Sequence, residues 1–299
     1  MMNPILRREA VTTMRSWKTY GTLVLFLAIT ALGAGLFVYM NVQVGYDYGF
    51  IPENTLWLYT VLAAVQMGLV LLVVPAVAAG SISGERERQT LDLLLVTKMS
   101  PLSIVLGKLM SSLAYIALLV VATLPIFAIA FYFGGISIGH VLGLLGLVFL
   151  TACMVGAVSI FFSCLVKKTV VAIVLMYLVI GVLCFGTLLL LMFYIMYYDM
   201  NGINPQDFPL LGSILILIPN PGVAFFSIID GQLGTNMVAG SVLRFVHNQS
   251  HILQWMGTHI WLLHILFDGI MTVIFVLLSA HCINPVREEK AKRKRGKKV

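Results

Sequence analysis

The sequence predicts an all-α integral membrane protein with six transmembrane helices, and three observations carry that prediction. Only 10% of the 299 residues are charged and 60% are hydrophobic, whereas a soluble domain uses about 25% charged residues to meet water. The stretches 19–46, 54–84, 109–166 and 169–198 contain no Asp, Glu, Lys or Arg. Of the 19 Lys and Arg residues, all but Arg244 fall on one side of the alternating topology that these stretches impose.

Taken in order, the chain opens on a segment suited to the membrane surface. Asn3-Pro4 supplies a cap and a first-turn proline. Leu6, Ala10, Met14 and Trp17 then share one helical face, with Arg8, Arg15 and Lys18 away from it. This reads as an N-terminal amphipathic interfacial helix. A small-residue cleavage site is missing, so a removable signal peptide is not expected.

About 20 helical residues cross a ~30 Å hydrocarbon core. The expected crossings are 20–40, 56–80, 101–133, 141–166, 169–198 and 256–282. The bare stretch 109–166 holds parts of two of them, reversing at the glycine-rich 134–140. Gln66 and Pro75 interrupt the second crossing and Pro125 the third, as kinks or hinges. Cys153, Cys164, Cys184 and Cys282 all sit in or beside apolar runs and read as small packing residues.

Segment 209–230 is apolar, but Pro219-Asn220-Pro221-Gly222 divides it into limbs too short to span. An outer re-entrant hairpin between the fifth and sixth crossings fits both facts, provided protein or water shields its tip. The basic side then collects residues near both termini, the connection between the second and third crossings, Lys167 and Lys168. The bias of Lys and Arg assigns that side, and both termini, to the cytoplasm of a cell membrane. Residues 1–283 make a single membrane domain. Residues 284–299 make a basic cytoplasmic tail, expected to be disordered and drawn to anionic lipid rather than to nucleic acid.

Three groups of residues invite a chemical reading. The connection after the second crossing contains Glu85-Arg86-Glu87-Arg88-Gln89-Thr90-Leu91-Asp92. Leu91, Leu94 and Leu95 then give an apolar face, and Ser100-Pro101 restarts a helix. A short cytoplasmic helix in this place can transmit a push from a soluble partner. A solvated loop with surface ion pairs is the plainer alternative. His264 and Asp268, one turn apart inside the sixth crossing, share a face. They suit a proton relay, a substrate contact or a satisfied polar pair at a helix interface. His247 and His251 are spaced for one metal ion, but nothing nearby completes a site, so no metal is expected. The chain carries no Gly-x-x-x-x-Gly-Lys-[Ser/Thr] loop. Gly107-Lys108 is followed by Leu109, which has no hydroxyl for magnesium.

The run from Glu85 through Leu95, with Thr97, Ser100-Pro101 and Gly107-Lys108, resembles the coupling-helix region of ABC-2 type transporter permeases. The succession Glu-Arg-Glu, Thr-Leu-acid, Ser-Pro, Gly-Lys carries the resemblance. Asp92 stands where glutamate is commoner, and Lys98-Met99 where proline often falls. The amphipathic start and the outer hairpin resemble the family too. The resemblance implies a permease that pairs with a second permease subunit, as homodimer or heterodimer, and is driven by a separate P-loop ATPase. ATP and magnesium would belong to that ATPase, with no catalytic residue or cofactor in this chain. Glu85, Arg86, Glu87, Arg88, Thr90, Leu91 and Asp92 would meet the ATPase. The Glu-Ala-Ala loop of importer permeases is missing, which favours export. An intramembrane enzyme is the competing class, and His264 with Asp268 would be its only convergent groups. A non-transport scaffold is the other.

Overall fold

The structure, a computed structural model, describes residues 17–48, 53–91, 100–132, 136–203, 209–234 and 251–283. The segment before Trp17, the charged connection from Asp92 to residue 99, the reversal at 133–135 and the basic tail lie outside the described residues.

Among the described residues every regular element is helical. Six helices are long and apolar enough to cross a membrane: Thr19–Met40, Leu56–Glu87, Pro101–Ala128, Ile138–Leu165, Thr169–Met200 and Ile260–Cys282. They are numbered here as the first to sixth spans. The six expected crossings are all present, with informative differences at two of their ends and one inside a span.

The second span does not stop at residue 80. Pro75 removes one N–H from the ladder, the helix slackens at Ala79, and it resumes as Gly80–Glu87. This last piece packs on the fourth and fifth spans, with Ile82 and Ser83 fully buried. Burial thus carries the helix through a Ser- and Gly-rich stretch that reads locally as a break. The sixth span begins at Ile260, after a separate short helix, His251–Thr258, and a turn at His259. The fifth contains a π-helical turn, Val182–Gly186. The third restarts as expected: Ser100 caps it, its hydroxyl accepting from the Ser103 N–H at 3.2 Å.

The fourth span is the hub, packed against the second, third, fifth and sixth. Between lipid-bathed helices the hydrophobic effect gives little attraction, so close approach by small residues matters. The fourth span buries Ala152, Gly156, Ala157, Ser159 and Ser163. A Cβ on Gly156 would stand 3.1 Å from Leu109 of the third span and 3.7 Å from Val74 of the second. By contrast the first and fifth spans expose rows of large apolar side chains, such as Leu32 and Leu36 or Phe185 and Phe193.

Helices Leu210–Leu217 and Pro221–Leu233 form a pair bent by 110°. Asn220 caps the second limb, its Oδ1 accepting from the N–H groups of Gly222 and Val223 at 2.8 and 3.1 Å. That limb packs on the sixth, fourth and second spans. Its far end is tied by Gln232, which donates to the His140 carbonyl at 2.9 Å and accepts from the Tyr59 hydroxyl at 2.8 Å. Tyr59 and His140 belong to the starts of the second and fourth spans. Leu233 therefore lies at the opposite end of the bundle from Glu85.

Candidate functional site

Two polar centres tie several spans together in a bundle whose core is mainly apolar. The first is the junction where the second span ends. Glu85 Oε1 lies 2.5 Å from Nζ of Lys108, a third-span residue only 4% exposed. Arg86 donates to the carbonyls of Cys164 and Val166, at 3.2 and 3.3 Å. Those carbonyls close the fourth span, where the last turn lacks intrahelical partners and carries the negative end of the helix dipole. Glu87 accepts from the Thr169 N–H at 2.8 Å and from the Thr169 hydroxyl at 3.0 Å. Thr169 opens the fifth span, and the residue before it, Lys168, provides no side-chain cap. The Glu87 carboxylate takes that place at the positive end of the dipole.

Hydroxyl groups complete the junction. The break at Ala79 frees the first N–H groups of the helix that follows. The Ser163 hydroxyl of the fourth span accepts from the N–H groups of Ile82 and Ser83, at 3.1 and 2.8 Å. Ser83 Oγ also lies 3.1 Å from Thr169 Oγ1.

The seven residues expected to meet an ATPase therefore separate into groups. Glu85, Arg86 and Glu87 direct their polar atoms onto the third, fourth and fifth spans. Arg88, Gln89 and Thr90 are exposed. Gln89 has φ +58°, the left-handed conformation that commonly ends a helix, and the Thr90 N–H returns to the Glu85 carbonyl at 2.9 Å. Leu91 is buried in the main apolar core, and Asp92 lies outside the described residues. In the sequence Lys108 stood out only as part of Gly107-Lys108 and not as a partner of Glu85, and Ser163 and Thr169 were not singled out. Two signals pointed to them: a lone lysine inside an apolar run needs a counter-charge, and a helix opening after Lys167-Lys168 needs a cap from elsewhere.

The second centre is His264 with Asp268, both fully buried. Their ring and carboxylate come together as the i, i+4 spacing implies, with Nε2 3.2 Å from Oδ2. The fourth span adds Thr151, whose hydroxyl donates to the same carboxylate oxygen at 2.9 Å. The other ring nitrogen, Nδ1, stands 2.7 Å from the carbonyl of Ile218, at the bend of the helix pair. A carbonyl can only accept, so Nδ1 carries a hydrogen. Nε2 and Oδ2 then need one proton between them, and with that proton His264 and Asp268 form a unit of zero net charge. The bend is held from the fifth span too. Asn220 donates from Nδ2 to the Cys184 carbonyl at 2.9 Å and to the Thr187 hydroxyl at 2.8 Å. Both acceptors lie at the π-helical turn, where the widened helix turns carbonyls outward. Thr151 and Asn220 were not candidates in the sequence. Their partners across the bundle are distant in the chain, and the Pro219-Asn220-Pro221-Gly222 break does not indicate that Asn220 reaches Cys184 and Thr187.

A search of curated proteins finds no match to this chain. Residues 36–281 match the family model described as ABC-2 family transporter protein. The matched region contains both polar centres and the bent helix pair. The chain belongs to the ABC-2 family, the membrane permease subunits of ABC transporters.

Proposed function

We propose that this permease works as half of a membrane dimer, exports an amphiphilic or otherwise membrane-active compound, and is driven by a separate P-loop ATPase docked on the charged junction. The observation that carries this reading is the end of the second span. An exposed turn, Arg88, Gln89 and Thr90, projects from a helix end bound to three other spans. A force applied there acts on most of the bundle and not on one loop. These 299 residues contain no Gly-x-x-x-x-Gly-Lys-[Ser/Thr] loop, which accords with an ATPase held outside them.

Several finer features follow from this reading. The junction faces the cytoplasm, in keeping with Lys108, Lys167 and Lys168 beside it and the positive-inside bias. The bent pair enters from the outer face and returns to it. Each limb is too short to cross alone, and the bend is sheltered by the fifth and sixth spans. The exposed apolar faces of the first and fifth spans meet lipid or the second permease subunit.

Gentle purification of the tagged protein from its own membrane, followed by mass spectrometry, tests the proposal. A P-loop ATPase in roughly equal amount is the expected result. Repeated absence of any ATPase, in several detergents and in nanodiscs, would remove the basis for an ATP-driven permease.

A further inference from the structure

We infer that Glu85, Arg86 and Glu87 are positioning residues that lock the ends of the second, third, fourth and fifth spans into one block, and that the ATPase is met by the exposed turn that follows them. This rests on the permease reading for its partner, though not for its geometry. The three side chains follow one another in sequence yet serve three different helices. Glu85 neutralises the third-span Lys108, Arg86 covers the closing carbonyls of the fourth span, and Glu87 covers the opening N–H of the fifth.

The order of charges matches the polarity of what they meet. The turn between the fourth and fifth spans presents a helix C-terminus, which attracts a cation, and then a helix N-terminus, which attracts an anion. An Arg followed by a Glu fits that order, and the reverse order would place like against like at both ends. Burial reinforces the point. Lys108 is 4% exposed, so drawing Glu85 away to a partner would weaken the pairing of a cation held in a mostly apolar bundle. Glu87 is exposed but bonded to Thr169, and Arg88, also exposed, is the next charge offered to another protein.

Block formation also explains the depth of the junction. Ser163 receives two backbone N–H groups from the restarted helix, and Ser83 reaches Thr169. The second span is thus tied to the fourth and fifth through backbone as well as side chains. A push on the exposed turn moves these helix ends together, and the sixth span, packed along the fourth and third, lies against the same block.

Charge exchange between Glu85 and Lys108 tests the inference. Glu85→Lys and Lys108→Glu are made singly and together, and each permease is purified both with and without its ATPase. Each single exchange is expected to lower the melting temperature of the isolated permease by about 5 °C or more, and to cut ATPase stimulation about tenfold. The double exchange is expected to recover most of both losses. Arg88→Glu is expected to leave the melting temperature unchanged while reducing ATPase capture.

Two results would overturn the inference. One is Glu85→Lys losing the ATPase with unchanged permease stability and no recovery in the double variant. The other is Arg88→Glu unfolding the permease as severely as Glu85→Lys. If the single exchanges fail to accumulate, recovery of folded protein by the double exchange decides in favour, and its failure decides against. If no ATPase accompanies even the unaltered protein, the permease reading fails, and the melting temperatures still decide whether the block exists.

Discussion

At the charged junction, helix ends are satisfied by full charges. At the bend of the helix pair, the same kind of exposed backbone is satisfied by an amide and by a His–Asp unit without net charge. The junction uses Arg86 on carbonyls and Glu87 on an N–H group. The bend uses Asn220 on its own cap and on the π-helical turn, and His264 on the Ile218 carbonyl. Both sites answer one demand, that no backbone polar group be left bare inside a membrane protein. The solutions differ because depth sets the cost of charge. Glu87 is open to solvent and Arg86 partly so, so a charge there keeps part of its hydration. Thr151, His264 and Asp268 are entirely enclosed, and only a neutral unit is cheap to keep.

The largest expected effect tests the neutral unit. His264→Leu leaves Asp268 enclosed without its partner and is expected to cost about 3–5 kcal/mol. Removing Asp268 as well, in His264→Leu/Asp268→Leu, is expected to be less harmful than the single change. Denaturant unfolding in detergent, followed by tryptophan fluorescence, measures both. A double variant worse than the single would show that the two residues do not act as a unit.

Asn220 is next. Asn220→Ala removes a helix cap and two buried hydrogen bonds together, for an expected loss of about 2–3 kcal/mol in the same assay. The amide should also be hard to replace by Asp, which can cap the limb but cannot donate to Cys184 and Thr187. At the junction, Arg86→Ala is expected to cost about 1.5 kcal/mol, the lower part of the range for a bond to a charged group, because solvent reaches the site. High salt should weaken the Arg86 contribution and leave that of Asn220 unchanged, which separates the two chemistries directly. The smallest effect belongs to an ordinary cap: Ser100→Ala should cost about 0.5–1 kcal/mol.

The six spans were legible because a membrane demands long uncharged runs, a requirement that acts residue by residue along the chain. The Ser100-Pro101 restart was legible for a similar reason, since a cap and its helix are neighbours. The direction of the charged side chains was not legible. Glu85-Arg86-Glu87 reads as a solvated or partner-facing run when its surroundings are unknown, and the groups that claim those charges lie 23 to 82 residues away. Continuation of the second span to Glu87 was hidden likewise. Ser81 and Gly84 argue locally for a break, and only the packing of Ile82 and Ser83 on the fourth span overrides them. The His264–Asp268 pair was visible as a spacing, but its attachment to the Ile218 carbonyl depends on a fold that brings the bend to the sixth span.

The partners of the second span's end are made late. Thr169 follows Glu87 by 82 residues, and a chain grows at about 5–20 residues per second. Roughly 4–16 seconds therefore pass, by that rate, between synthesis of the Glu87 carboxylate and appearance of the N–H group it caps. By the later part of that interval the second and third spans have both been synthesised, while Arg86 and Glu87 still lack the groups they hold in the finished protein. Closure of the block is consequently a late event in biogenesis. A ribosome stalled before residue 169 would display an open form of this end, accessible to reagents that the mature permease excludes.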